Sequence, residues 1–494
     1  MAKCKILLIF APAKGKVMPG ELGEGTIAPL GLIYLGTYLK NKLADAIEIK
    51  LYDGTIGGFD ATLKIIQEFQ SDILGVTYYS PVAFGAYDII KAVKEYDPGI
   101  FTIVGGPHAT PMYEEAFNNC AVDAAVLGEG EETLLALVKK FIDSNGNIRQ
   151  HLGEINGLVY KVGQKLIKNT PQSYIADLDT IPFPDWDLLP LKNYKGWYLK
   201  KGKSEAPMLF SRGCPYACTF CSNAVWKICQ PFVRVRSPKN IADEIESLMQ
   251  KYGVDEIYDC ADEFNNNIAN AIAVCEEIKR RKLKVYWKTQ LRANPLPENL
   301  VKAMAEAGCW YVNLGIESAN AETLAGVGKG ITVLQVENAL KLLKKYGIKV
   351  QGLFMYYNVW EDQNGNLKFE DTAQSLKNYK FAKKLIKQRL IDYFGWSVTT
   401  PHPGSKLYGI ALRHNLIKPE FINHWDQWLK SDRFVMKLPG VTVLDQVRLK
   451  LMGDWLRFVC IIKSGTYTPR DLITIFKKGL NIVRINLRRL IYKK

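Results

Sequence analysis

Cys214, Cys218 and Cys221 stand at i, i+4 and i+7 in the segment Ser211-Arg-Gly-Cys-Pro-Tyr-Ala-Cys-Thr-Phe-Cys221. Soft thiolates this close together suit an iron–sulfur cluster or zinc. A structural zinc site is closed by four ligands, yet no Cys or His pair of matching spacing follows. The next cysteines are Cys229 and Cys260. Three thiolates on a four-iron cluster leave one iron open to substrate.

Such a loop needs a strand to launch it and a scaffold to hold its partners. From about Ala206 to Tyr408 the sequence alternates apolar strands with helical periods. The strands are expected near Met208–Ser211, Glu256–Tyr258, Val285–Gln290, Tyr311–Leu314, Val350–Met355 and Tyr393–Thr399. Helical stretches such as Ile241–Lys251, Pro297–Ala307 and Val336–Tyr346 separate them. Six βα repeats predict a partial (β/α)6 barrel of TIM type, open on one side, with its chemistry at the strand ends.

A second α/β unit precedes it. Lys5–Phe10, Ile47–Tyr52, Ile73–Tyr78, Phe101–Val104 and Ala124–Leu127 read as strands, separated by amphipathic stretches such as Thr62–Phe69 and Ala83–Glu95. The alternation predicts a doubly wound, flavodoxin-like (Rossmann-type) parallel sheet. Ligands of such sheets sit beyond the carboxyl ends of the strands. Those ends are Asp53-Gly54, Tyr79-Ser80-Pro81, Gly105-Gly106-Pro107-His108 and Gly128-Glu129-Gly130. Glycines there allow a large planar ligand close to the backbone, or serve tight turns. Residues 144–205, with Ile181-Pro-Phe-Pro184, are expected to connect the two units in extended form. The division expected is 1–145, a linker over 146–205, the barrel over 206–415 and a helical C-terminal region over 416–494.

The whole chain of 494 residues is 48% hydrophobic with a net charge of +15, an ordinary globular composition. Ten irregularly spaced cysteines are no disulfide scaffold and read as reduced thiols of a cytoplasmic protein. No apolar run approaches the eighteen residues of a membrane span. The apolar start reads as a first strand rather than a secretion signal. Part of the charge lies at the end, where residues 465–494 carry eight Lys/Arg against one acid, Asp471. Leu472, Phe476, Leu480, Val483, Leu487 and Ile491 keep a helical period there. This basic helix is expected either to pack on the body with a solvated basic face or to lie on an anionic membrane, which suits a lipid substrate. With the charge gathered in one tail and no added RNA-binding domain, a nucleic acid partner is not expected.

The C-x₃-C-x-Phe-C pattern, with Phe220 beside Cys221, resembles the radical S-adenosylmethionine (SAM) superfamily. The resemblance implies a [4Fe–4S] cluster whose open iron chelates the amino and carboxylate groups of SAM. An electron from the cluster then cleaves SAM to methionine and a 5′-deoxyadenosyl radical. It further implies that Phe220, Asp262, Glu263, Arg292 and Glu317 contact SAM: Asp262 and Glu263 its amine, Arg292 its carboxylate, Glu317 its ribose or methionine. Phe354-Met-Tyr-Tyr-Asn-Val-Trp360 departs from the usual glycine–proline turn after the fifth strand, and Ala261 stands where many relatives carry Asp.

The preceding sheet domain, with Pro29-Leu-Gly-Leu-Ile-Tyr-Leu-Gly36, Val104-Gly-Gly-Pro-His-Ala109 and Gly128-Glu-Gly-Glu-Glu-Thr133, and Thr400-Pro-His-Pro-Gly-Ser405 beyond the barrel, resembles the cobalamin-binding subfamily. This implies cobalamin between the two units, contacted by Asp53, Ser80, Gly105, Gly106, His108, Gly128, Glu129 and Gly130. The D-x-H-x-x-G signature of a lower axial histidine is absent, Thr55 taking the histidine place after Asp53. His108 is expected either as a ligand or as a turn histidine bonded to backbone. The reaction implied is radical hydrogen abstraction followed by methylation of an unactivated carbon, with a flavodoxin or ferredoxin as electron donor. Two alternatives stand beside it: radical cyclisation, oxidation or carbon–carbon coupling without methyl transfer, and a cobalamin- or redox-responsive binding protein with a structural cluster. Cys260 and Tyr258, near the barrel mouth, are expected to be buried or to touch substrate.

Overall fold

The computed structural model describes residues 3–13, 27–196, 199–428 and 434–464. The first sheet starts with β1 (Cys4–Phe10), β2 (Ile47–Asp53), β3 (Ile73–Thr77), β4 (Phe101–Gly105) and β5 (Ala124–Val126). They run parallel in the order β2-β1-β3-β4-β5, the flavodoxin-like arrangement. Strand β1 is apolar throughout because helices cover both faces: Ile6, Leu7, Leu8 and Ile9 are all buried. The covering helices are α1 (Leu30–Leu43), α2 (Gly54–Phe69), α3 (Ala83–Tyr96), α4 (Tyr113–Asn119) and α5 (Glu131–Asp143).

The segment expected as an extended connection does more than connect. Residues β6 (Leu158–Val162) and β7 (Lys165–Lys168) form an antiparallel hairpin that continues the first sheet beyond β5. A two-residue turn at Gly163-Gln164, with Gly163 at φ +59°, closes it. Beyond it the proline-rich stretch carries only short helical turns, 178–180 and 191–193.

The barrel is formed by β8 (Glu205–Met208), then β11, β12, β13, β14 and β17, while β9 (Ser211–Arg212) and β10 (Arg234–Val235) pair with each other beside it. The remaining strands are β11 (Glu256–Asp259), β12 (Tyr286–Leu291), β13 (Cys309–Glu317), β14 (Lys349–Tyr356), β15 (Val359–Glu361), β16 (Leu367–Phe369) and β17 (Tyr393–Val398). All six barrel strands are parallel in the order β8-β11-β12-β13-β14-β17, and β8 does not pair with β17. The barrel is therefore open, as expected. Its first strand lies earlier than the sequence reading placed it, at 205–208 rather than 208–211. The thiol loop thus leaves from the small β9–β10 ribbon. The hairpin β15–β16 is an insertion after the fifth barrel strand.

Outside the barrel run α6 (Pro238–Tyr252), α7 (Ile268–Arg280), α8 (Glu298–Glu306), α9 (Ala321–Gly326), α10 (Val333–Lys345), α11 (Thr372–Lys387), α12 (Lys406–Arg413) and α13 (Val443–Ser464). Side-chain caps fix several starts: Ser237 accepts from the Asn240 N–H, and Thr332 and Asp371 each form a reciprocal capping box. Helix α13 is the described part of the expected C-terminal helical region. The basic stretch 465–494 lies outside the described residues. No helix among the described residues is long and apolar enough to cross a membrane.

Buried ion pairs join the two units. Arg212 of β9 reaches Glu131 at 2.7 Å and Glu129 at 3.4 Å, while Arg234 of β10 binds Glu129 and donates to the Ile175 carbonyl at 2.8 Å. All four charged groups are buried. Burial works against the Arg212 charge, but Glu131 and Glu129 outweigh it and raise its pKa. Charges so enclosed hold only as a complete set. The loop that starts at Gly213 is therefore anchored to the first unit through Arg212, two residues before its first thiol.

Candidate active site

Gly213 has φ +86°, and a Cβ there would sit 1.8 Å from the Phe232 carbonyl oxygen. Only glycine allows this crossing. Cys214, Cys218 and Cys221 follow on an irregular loop, half-buried and free of disulfides. Burial pushes the Cys214 thiol up to about 12 and the Cys221 thiol to about 11. These thiols stay protonated until a cation displaces the proton. Among the described residues no three His, Cys, Asp or Glu side chains converge as one metal ion needs. Thiols spaced along an open loop fit a larger, multi-iron cluster instead, and among the described residues no fourth Cys or His joins them.

Around this loop the strand ends bring together most of the residues singled out from sequence. Glu263, after β11, is buried with Oε2 3.8 Å from Cys214 Sγ, and burial raises its pKa. Asp262, next to it, is exposed, and its pKa is raised by burial against the lowering effect of the Gly213 backbone. Arg292, after β12, is 3% exposed, with its guanidinium stacked 3.6 Å above the Tyr216 ring and its Nε without a partner. A buried, unpartnered guanidinium nitrogen beside a thiol loop is what an incoming carboxylate would satisfy. Glu317 ends β13 with φ +64°, a strained backbone for a non-glycine residue. The next residue is fixed by a buried network: Ser318 Oγ donates to Glu370 Oε1 at 2.5 Å, and the Ala319 N–H donates to Asn378 Oδ1 at 2.7 Å. Phe220 packs half-buried against the core.

One residue escaped the sequence reading. Lys329 lies in Gly328-Lys-Gly330, 8% exposed, with Nζ 2.9 Å from Glu317 Oε1. The Gly328 carbonyl is 3.7 Å from Cys218 Sγ, and the Thr219 N–H donates to the Val327 carbonyl at 2.9 Å. Burial depresses the Lys329 charge, but Glu317 and then Cys218 more than compensate, so its pKa is raised. The only sequence signal was a lysine between two glycines.

Below the thiol loop the barrel interior is hydrogen-bonded: Gln290 donates to the Tyr258 hydroxyl at 2.8 Å, and the Tyr311 hydroxyl donates to Asn313 Oδ1 at 2.9 Å. Tyr258 is buried, and Cys260, half-buried, has its thiol raised by burial.

The residues singled out at the first sheet's edge behave differently. Asp53 is buried, accepting from Thr55 N at 2.9 Å and from the Tyr194 hydroxyl at 3.0 Å. His108 is bonded at both ring nitrogens by side chains, Ser80 Oγ at 2.8 Å and Glu115 Oε2 at 3.1 Å, and Trp425 covers it. Its partners are thus not the backbone that the turn reading assumed, and neither nitrogen is free for a ligand. Glu129 belongs to the ion pairs above. Gly106 packs on Thr77 and Gly128 on Ile228 of the barrel unit, while Gly105 and Gly130 lie in contact with Val126 and Leu35. The residue left facing outward is Tyr79. It keeps 46% of its surface, yet burial, and then the Cys260 thiol, raise its pKa. Where Gly128 of this edge meets Ile228, the carboxyl end of the first sheet faces the segment that follows the thiol loop.

Comparison with known proteins agrees with this division. The family model of the radical SAM superfamily matches residues 208–364, and that of the B12 binding domain matches residues 22–138. The chain is 34% identical to an uncharacterized methyltransferase of Pyrococcus horikoshii over 94% of this chain and 95% of that one. It is 32% identical to an anaerobic magnesium-protoporphyrin IX monomethyl ester cyclase of Rubrivivax gelatinosus over 78% of this chain and 66% of that one. In fold it is similar to the radical SAM methyltransferase TsrM of Kitasatospora setae, solved with cobalamin and a [4Fe–4S] cluster, with a TM-score of 0.64 at 18% identity over 82% of this chain and 77% of that one. Sheet order, thiol loop and relatives together place this chain in the cobalamin-binding radical SAM enzyme family.

Proposed function

We propose that the protein is a cobalamin-dependent radical SAM methyltransferase acting on an unactivated carbon. The observation that carries the reading is the set of buried ion pairs by which Arg212 and Arg234, beside the thiol loop, hold Glu131 and Glu129 at the carboxyl end of β5. They set a radical source on one unit next to the strand ends where a methyl carrier on the other would sit.

When bound, the cluster supplies the electron that cleaves SAM, and cobalamin supplies the methyl-transfer step. The chain's own residues do the positioning. Cys214, Cys218 and Cys221 would hold the cluster, with an iron open to SAM. Arg292, stacked on Tyr216, would receive the SAM carboxylate, and Glu263, with Asp262 beside it, would face the amine. Glu317, held by Lys329, would meet the ribose, and Phe220 packs half-buried against the core. Tyr79 and the backbone at Gly105, Gly106 and Gly128 form the cobalamin side, while Asp53, Ser80, His108, Glu129 and Gly130 support that edge from behind. No side-chain acid or base is required for hydrogen abstraction. Enzymes of this superfamily take their electron from a reducing partner, here a flavodoxin or ferredoxin.

The test is the product pair. Anaerobic enzyme given cobalamin, reductant, cell extract and SAM labelled at its methyl group is expected to form S-adenosylhomocysteine and 5′-deoxyadenosine together, with label in a new compound. 5′-Deoxyadenosine alone, with no label transferred, assigns the chain to radical chemistry without methylation, the reading that the cyclase relative favours.

A further inference from the structure

Helix α13 carries apolar residues on two opposite faces. Towards the body it buries Gln446, Lys450 and Gly453 along with Leu449, Leu456 and Cys460. Gly453 meets the Trp396 indole of β17 so closely that a Cβ would sit 1.9 Å from Trp396 Cδ1, and the Trp396 N–H donates to the Leu449 carbonyl at 3.1 Å. This side is docked firmly and its contacts are made.

The opposite arc is apolar. At 100° per residue, Leu444, Leu451, Met452, Trp455, Phe458, Val459 and Ile462 share one outward face with Arg448. Leu444 is 68% exposed, Trp455 63% and Ile462 49%. Leu451, Met452, Phe458 and Val459 are half-buried beside these three; Arg448 stands exposed within the face and Lys463 at its margin, and the nearby Asp454 is neutralised by Lys450 at 2.7 Å. An apolar stripe left partly exposed on a helix marks a contact surface.

We propose that this face of α13 rests on an anionic lipid bilayer. Three observations choose that occupant. The stripe runs from Leu444 to Ile462 of α13, so it measures about 28 Å by 10 Å, or roughly 280 Å². That is well short of the ~800 Å² per partner of a stable dimer. The chain carries +15 overall, and the stretch directly after α13 adds eight Lys/Arg against one acid. Two such copies repel each other, whereas a negative surface attracts each of them. Trp455 lies at the centre of the stripe, and an indole, apolar with one N–H donor, suits the headgroup level. The helix lies in the interface plane, which is the mode open to an amphipathic helix that does not span.

The test is flotation of the full-length, cluster-loaded protein with phosphatidylcholine vesicles and with equal mixtures of phosphatidylcholine and phosphatidylglycerol. At least ~5-fold more protein is expected to float with the anionic vesicles. The double variant L444E/W455E is expected to fall to the level of the neutral vesicles while keeping its iron content and its SAM cleavage. Recovery at the bottom of both gradients overturns the proposal, as does equal flotation of the variant. A concentration-dependent dimer lost in the variant without lipid assigns the stripe to a second copy and overturns it too. None of these outcomes depends on whether the enzyme transfers a methyl group.

Discussion

Lys329 Nζ lies 2.9 Å from Glu317 Oε1, both side chains buried, on a loop whose Gly328 carbonyl meets Cys218 Sγ at 3.7 Å. The pair ties the end of the fourth barrel strand to the thiol loop. Removing its cation, as in K329M, leaves a buried carboxylate unpaired and is expected to cost about 3–5 kcal/mol. The three thiols remain, so iron content is expected to hold while SAM binds about tenfold or more weakly. K329R is expected to recover most of both. Iron analysis and SAM titration of the same preparations check this, and an unchanged SAM affinity in K329M refutes it.

The link between the units makes a second prediction. R212A strands Glu131 in a buried site and is expected to lower stability by roughly 3–5 kcal/mol. The paired replacement R212M/E131L removes both charges and is expected to lose much less. Urea unfolding of the three proteins checks the order. Equal losses would show that packing, not charge, holds the junction.

These ion pairs also mark how far the sequence could be read. The alternation of strands and helices placed ten of the eleven parallel strands in two sheets, because a strand buried on both faces is an apolar run of about five residues; the first barrel strand lies three residues earlier than expected. The spacing of Cys214, Cys218 and Cys221 located the site, since thiol chemistry is set by short-range spacing. The hairpin β6–β7 was missed because Tyr160 and Lys161 alternate weakly and its strands lie at the sheet edge. Ser80, His108 and Glu129 carry groups suited to a ligand, but the fold turns them towards Glu115, Arg212 and Arg234. Those partners lie far away in sequence, and no local pattern announces them. Lys329 was overlooked for the same reason.

Asp259 gives a pH signature. It is fully buried, accepting from Thr289 Oγ1 at 2.7 Å and from the N–H groups of Phe210 and Ala261 at 3.2 and 3.1 Å. Burial raises its pKa to about 6, against about 3.9 unfolded. The fold favours the protonated acid, so this stability is complete below about pH 4 and is lost as pH rises through about 6. The difference is roughly 3 kcal/mol. D259N is expected to flatten that interval. Chemical unfolding of the cluster-free protein between pH 4 and 7 checks it, and an unchanged slope in D259N would contradict the assignment.

Cysteine replacement separates the site from the background. C218A is expected to lose most bound iron and all 5′-deoxyadenosine formation. C229A, whose thiol only meets the Gln172 carbonyl at 3.4 Å, is expected to keep both. Iron analysis with product chromatography distinguishes them, and iron retained in C218A would move the cluster elsewhere.

The most direct measurement is the paramagnetic resonance spectrum of the anaerobic, dithionite-reduced protein before and after adding SAM. Three thiolates with one vacant iron corner predict a four-iron signal whose g-values shift when SAM occupies that corner, with 5′-deoxyadenosine forming alongside. A cluster signal indifferent to SAM, or zinc in place of iron, would contradict the account.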